Sequence, residues 1–279
     1  MKSKLVPLGL IALCIGIYFI ILFPYDNLYF SILPTYAIFG DASIIVANII
    51  LEIFLVAVYF LCVYLIKKAP PLKLWNQAGV SVISCAAALL MGVSTGLYTV
   101  CFFKLPYTLD HFPMYNQLLI TFFGKGTFVA FALFCITSSV FKEVLFRGVI
   151  MNELKAVMPV TAAIILQAVI YGVANFFQQN IQAIVFASFG AAVFGLLYYW
   201  SKNIFITMFA QLGNIIIIIS LTMSKDSMIN RTTSAYVLVP SIIVLLALGY
   251  YFFYMYKKSG KKTIDKEKEK EKEPQPVGR

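Results

Sequence analysis

Histidine is almost missing from this chain: His111 is the single one in 279 residues. One imidazole cannot build a histidine-rich metal centre, so no metal is expected, and His111 reads as a solvated loop residue. Charge is scarce as well. Lys, Arg, Asp and Glu together make up 12% of the chain, against about 25% in a soluble domain. The five cysteines, Cys14, Cys62, Cys85, Cys101 and Cys135, lie in or beside apolar runs without paired short spacings. That pattern excludes a disulfide framework or a CxxC metal site and suits small apolar residues packed between helices. There is no phosphate-cradling glycine loop, redox motif or internal repeat, so no cofactor is expected. The net charge of +10 does not indicate nucleic acid, because the basic residues cluster at the ends of apolar runs and in the tail, as membrane orientation requires.

What the chain has in abundance is apolar length: 61% hydrophobic residues and 16% aromatic, with a mean hydropathy of +0.87. The runs are continuous and near the 20 or so residues that span a bilayer. They do not alternate, so helices and not strands are expected. The reading is an all-α polytopic membrane protein of about eight helices: 5–23, 42–66, 77–103, 118 into the 140s, 160–177, 181–200, 204–223 and 236–256. The first apolar run is too long for a signal peptide and no small-residue cleavage site follows it, so it is expected to be retained. Lys67, Lys68, Lys73, Lys202 and the tail lysines mark one side as cytoplasmic, with both termini there. The loops at 24–41, 104–116 and 225–231 fall outside. Residues 1–116 read as an N-terminal set of helices, 117–256 as the core, and 257–279 as a disordered charged tail. In the run Lys266–Glu273, residues four apart carry the same charge, which argues against a helix. The tail lysines nearest the membrane suit anionic lipid.

Two polar features interrupt the runs. Asn48 and Glu52 lie four apart on the second helix, and an intramembrane carboxylate is a candidate functional group by default. Gly92-Val93-Ser94-Thr95-Gly96 is a small-xxx-small pattern, read as internal packing and not as a dimer seam. The organising stretch is Phe141-Lys142-Glu143-Val144-Leu145-Phe146-Arg147-Gly148. It places a carboxylate and a guanidinium four residues apart, on one helix face and within reach of each other. Residues 149–157 read as an amphipathic cytoplasmic turn of helix.

Lys142–Gly148 resembles the first motif of the CAAX-protease and bacteriocin-processing family, the Abi or Rce1-like intramembrane proteases: two glutamates, three residues, an arginine and commonly a glycine. The second motif, an aromatic, three residues and a histidine, aligns with Tyr171-Gly172-Val173-Ala174-Asn175. The third, a histidine, three residues and an asparagine or aspartate, aligns with Ala210-Gln211-Leu212-Gly213-Asn214. The resemblance implies an Rce1-like bundle, a bacterial plasma membrane, and a site at Glu143, Arg147, Asn175 and Asn214, with Lys142, Tyr171, Gln211 and Glu52 behind them. In the family a carboxylate activates water while histidines position it or stabilise the oxyanion. Here Lys142 replaces the first glutamate, and Asn175 and Ala210 replace the histidines. Asparagine donates hydrogen bonds but cannot act as a base. The resemblance therefore implies a degenerate member that binds a membrane or envelope protein as scaffold, regulator or bacteriocin self-immunity protein. Glu143 and Arg147 would form a buried pair, ringed by neutral hydrogen bonds from Asn175, Gln211 and Asn214. The alternative is an endopeptidase in which Glu143 activates water and Asn175 and Asn214 serve as oxyanion donors. A transporter would require an inverted repeat and paired broken helices, and the chain has neither.

Overall fold

Lipid offers a backbone no hydrogen-bond partner, so each apolar run must close its own ladder as a helix. A computed structural model describes residues 2–31, 43–104, 128–176, 181–223 and 231–272, some helix ends by backbone alone. In chain order the elements are α1 (Lys2–Ser31), α2 (Ser43–Lys67), the short α3 (Pro71–Trp75), α4 (Val82–Lys104), α5 (Phe128–Glu143), a π-helix (Val144–Met151), α6 (Asn152–Lys155), α7 (Val160–Phe176), α8 (Ile181–Ser201), α9 (Ile204–Met223) and α10 (Arg231–Lys272). Among the described residues, seven helical spans are long and apolar enough to cross a membrane, and Val160–Ala174 is a shorter apolar helix beside them. The protein is a polytopic, all-α membrane protein. The large apolar side chains that stay exposed, among them Ile20, Val82, Ile83, Phe128 and Val129, form the kind of surface that lipid covers.

Several boundaries differ from those expected, each for a physical reason. α4 begins at Val82, not near residue 77, because the preceding residues are tied to the α8–α9 turn. Asn76 bridges Asn203, Asn203 Nδ2 donates to Ala78 O at 2.7 Å, and Ile204 N donates to Asn76 Oδ1 at 3.0 Å. α1 runs on past Pro24 to Ser31, since a proline removes one ladder bond without necessarily ending a helix. α10 continues to Lys272, through a stretch expected to be disordered. Lysine and glutamate are both good helix formers, and residues three apart in this run, such as Lys266 and Glu269, carry opposite charges, a spacing that supports a helix. The loop holding His111 and the end of the tail, residues 273–279, lie outside the described residues.

α4 packs against both α9 and α10, α5 packs against α2 and α9, and α7 pairs with α8. The closest of these contacts uses the small-residue pattern inside the molecule. A Cβ added to Gly92 would stand 1.8 Å from Ala210 O, one on Gly96 would stand 2.8 Å from Asn214 O, and one on Gly213 would stand 2.4 Å from Leu89 O. Only hydrogen fits at these positions, so the backbones of α4 and α9 come into near contact.

Candidate functional site

The helix carrying Glu143 and Arg147 changes character between them. α5 ends at Glu143, and Val144–Met151 continues as a π-helix whose residues are all buried. Where an amphipathic turn of helix was expected, Val149, Ile150, Met151 and Leu154 are at most 2% exposed, and Glu153, 7% exposed, pairs with Lys67 at 2.6 Å. A widened turn leaves carbonyls without their usual helical donors. Asn152 answers them, with Nδ2 3.0 Å from both Arg147 O and Gly148 O, and it also reaches Tyr198 Oη at 2.7 Å. Tyr198 in turn donates to Trp75 O at 3.3 Å. Gly148 allows the indole of Trp75 to lie against this wall, since a Cβ there would stand 3.1 Å from two of its ring carbons. The proline-started α3 exists to deliver that indole, which is 2% exposed.

Inside the wall, Arg147 Nη1 lies 2.9 Å from Glu143 Oε1, and both side chains are fully buried. Arg147 Nη2 donates to Ala191 O of α8 at 3.0 Å. Gln167 Nε2 of α7 donates to the same carbonyl at 3.1 Å. Gly195, one turn further along α8, makes room for that amide: a Cβ there would meet Gln167 Nε2 at 3.2 Å. The guanidinium sits between two rings, with Cζ 5.6 Å from the centre of Tyr171 and 5.5 Å from that of Phe194. Both distances are within the roughly 6 Å over which a ring face attracts a cation. A planar guanidinium suits such a slot better than an ammonium would. Thr207 of α9 is near enough to act electrostatically on the Glu143 carboxylate, although its hydroxyl donates to Ile204 O at 2.9 Å. Among the described residues, Glu143 Oε2, Arg147 Nε and Gln167 Oε1 are buried and make no hydrogen bond.

The remaining expected residues divide into two groups. Tyr171 joins the pair through its ring and also meets Phe146 edge-on at 4.8 Å. Glu52, 8% exposed, accepts from Thr137 Oγ1 at 2.7 Å. Lys142, half-buried at the end of α5, acts electrostatically on both Glu52 and Glu143.

The expected ring of asparagines and glutamine differs from what is observed. Gln211 and Asn214 make no hydrogen bond to Glu143 among the described residues, and the buried Asn214 Oδ1 makes none at all. The backbone of Asn214 is committed to the contact with Gly92 and Gly96. Ala210 is fully buried in an apolar cluster with Ala88, Met91, Phe194 and Leu197. Asn175 lies on α7 one turn beyond Tyr171, and its side chain is outside the described residues. The groups that do surround Arg147 are Ala191 O and Gln167. The carbonyl is invisible to any reading of side chains. Gln167, however, lies four residues before Tyr171, on the same helix face, in an otherwise apolar run, and that spacing was legible.

The π-helix, the ion pair and the rings over it all fall within one matched segment. Residues 124–217 match the family model described as Type II CAAX prenyl endopeptidase Rce1-like. No curated protein and no solved structure matches the chain.

Proposed function

We propose, from the match of residues 124–217 to the Rce1-like family model, a catalytically degenerate member of the CAAX-protease and bacteriocin-processing group. It holds a membrane or envelope protein, as scaffold, regulator or self-immunity protein, in a bacterial plasma membrane. One observation carries this reading: the only motif carboxylate, Glu143, is engaged by Arg147 at 2.9 Å with both side chains fully buried. A base that activates water must exchange protons with it, and this carboxylate is already occupied by a guanidinium. The other positions where the group carries glutamate or histidine are Lys142, Asn175 and Ala210, none of which is a neutral-pH base. Site residues Glu143, Arg147, Asn175 and Asn214 are thus vestiges of a hydrolytic centre, retained for architecture.

A second reading, an endopeptidase driven by Glu143 alone, draws on the free lone pairs of Glu143 Oε2. Purified protein in liposomes, with and without Glu143→Gln, decides between them when membrane peptides are followed by mass spectrometry for new termini. No glutamate-dependent fragment is expected. A fragment made by the wild type and absent with Glu143→Gln overturns the degenerate reading.

We place both termini in the cytoplasm, with eight passes counting α7. Lys68 between α2 and α3, Lys155 at the end of α6 and Lys202 between α8 and α9 support this through the positive-inside bias. A cysteine introduced at Lys68 should react with a membrane-impermeant maleimide only in permeabilised cells. Labelling of intact cells would reverse the orientation.

A further inference from the structure

Two polar atoms beside the buried ion pair have complementary and unmet needs. The guanidinium of Arg147 is planar, and its Nε and Nη2 donate along the same edge. Nη2 spends its hydrogen on Ala191 O at 3.0 Å. Gln167 Nε2 donates to that oxygen as well, at 3.1 Å. A carbonyl oxygen has two lone pairs, so Ala191 O has none left for Nε. Among the described residues Arg147 Nε, a donor, and Gln167 Oε1, an acceptor, are buried and make no hydrogen bond. Both residues are 0% exposed, at the junction of the π-helix, α7 and α8, so neither atom turns to the outside.

Rotation does not relieve them. Turning the Gln167 amide over would set Oε1 against Ala191 O, acceptor to acceptor, and the surrounding bonds decide how such an amide is oriented. Arg147 is tied at Nη1 to Glu143 Oε1, 2.9 Å away. Because both groups lean on one carbonyl, the unpaired N–H and the unpaired C=O lie together on the α7–α8 side of the guanidinium. A molecule bridging them must accept one hydrogen bond and donate one. The Tyr171 and Phe194 ring centres stand 5.6 and 5.5 Å from Cζ, beyond the roughly 3.5–4.0 Å of a stacked contact. The rings are therefore not closed down on the guanidinium, and room remains at its edge.

The geometry points to an ordered internal water between Arg147 Nε and Gln167 Oε1, accepting from the first and donating to the second. Leaving two buried polar atoms without partners costs more than immobilising one water, and internal waters are found at such atoms. Water is the guest, and not a larger alcohol or amide, because Arg147 and Gln167 are both closed off from the surface. It sits on an edge of the guanidinium that the Glu143 carboxylate does not share. It completes a network from the π-helix through α7 to α8, built around a motif arginine. The inference is independent of whether Glu143 cleaves anything, since its test involves no peptide.

That test is radiolytic hydroxyl labelling of the full chain in lipid nanodiscs, read by mass spectrometry. A short X-ray pulse makes hydroxyl radicals from the water itself, and these mark the side chains beside an internal water. Phe194, 3% exposed, lies over Arg147. Phe252, 4% exposed and in the same apolar cluster, is the comparator. Phe194 should be labelled roughly five times faster than Phe252 or more. Gln167→Met, similar in length and without the amide, should bring Phe194 down to about the rate of Phe252. Phe194 labelled no faster than Phe252 would overturn the proposal, as would a folded Gln167→Met protein that keeps the wild-type rate. Should Gln167→Met fail to fold, the wild-type comparison of the two phenylalanines decides by itself.

Discussion

Replacing Arg147 by alanine should be among the most damaging single changes available in this molecule. The substitution leaves the Glu143 carboxylate at full burial with no counter-charge. It also strips one donor from Ala191 O and empties the slot between Tyr171 and Phe194. Removing one partner of a buried ion pair costs about 3–5 kcal/mol, most of it the penalty on the charge left behind. In a protein of this size about 1 kcal/mol moves the melting midpoint by 2–4 °C, so a fall of roughly 6–20 °C in detergent is expected. Folded yield should fall with it. Glu143→Gln/Arg147→Met removes both charges while keeping volume and should recover most of the loss, because a hydrophobic substitute for a buried pair is often neutral or better. The non-additivity between the two single variants and the double one isolates the pair. An Arg147→Ala protein with unchanged yield and melting midpoint would refute the argument, as would a double variant no better than Arg147→Ala.

Gly92→Ala should abolish monodisperse protein on size exclusion, since its Cβ would stand 1.8 Å from Ala210 O, whereas Gly190→Ala, with nothing within 4 Å, should behave as wild type. Thr137→Val strands the buried Glu52 oxygen that now accepts at 2.7 Å and should cost about 1–3 kcal/mol in detergent unfolding, while Thr137→Ser should restore most of it. Gly148→Ala pushes a methyl group to 3.1 Å from the Trp75 ring and should cost about 1–3 kcal/mol by overpacking, with a shift in Trp75 emission. An unshifted spectrum and melt would place Trp75 away from Gly148.

Most spans could be read from the sequence because their signal is length: α2, α8 and α9 begin and end within a residue of where their apolar runs do. The errors fall where tertiary contacts and not composition decide an end. The start of α4 is set by Asn203, far away in sequence. The extension of α10 suits the helix propensity of lysine and glutamate, which the like charges four apart obscured. In the site, Glu143 and Arg147 were legible because charge in an apolar run needs a partner. The part played by Ala191 was not, because it is a main-chain oxygen. Asn214 shows the opposite failure: its motif position suggested a hydrogen-bonding role, yet its backbone is a spacer against two glycines. Nothing in a periodicity analysis distinguishes a π-helix from an α-helix across residues 144–151, so the burial of that segment could not be anticipated.

That widened segment makes the chain intolerant of a change in length that would be harmless in a loop. Taking out one residue between Val144 and Met151 would let ordinary i-to-i−4 bonding resume, at no cost to helicity. The flanking turns would keep nearly their present phase, since a widened turn takes up the extra residue, but the side chains between them would shift against the wall they form. Asn152 would lose the two carbonyls it serves, since they would regain their own helical donors. Relatives that share this architecture are therefore expected to vary in side chain along this stretch while keeping its residue count fixed.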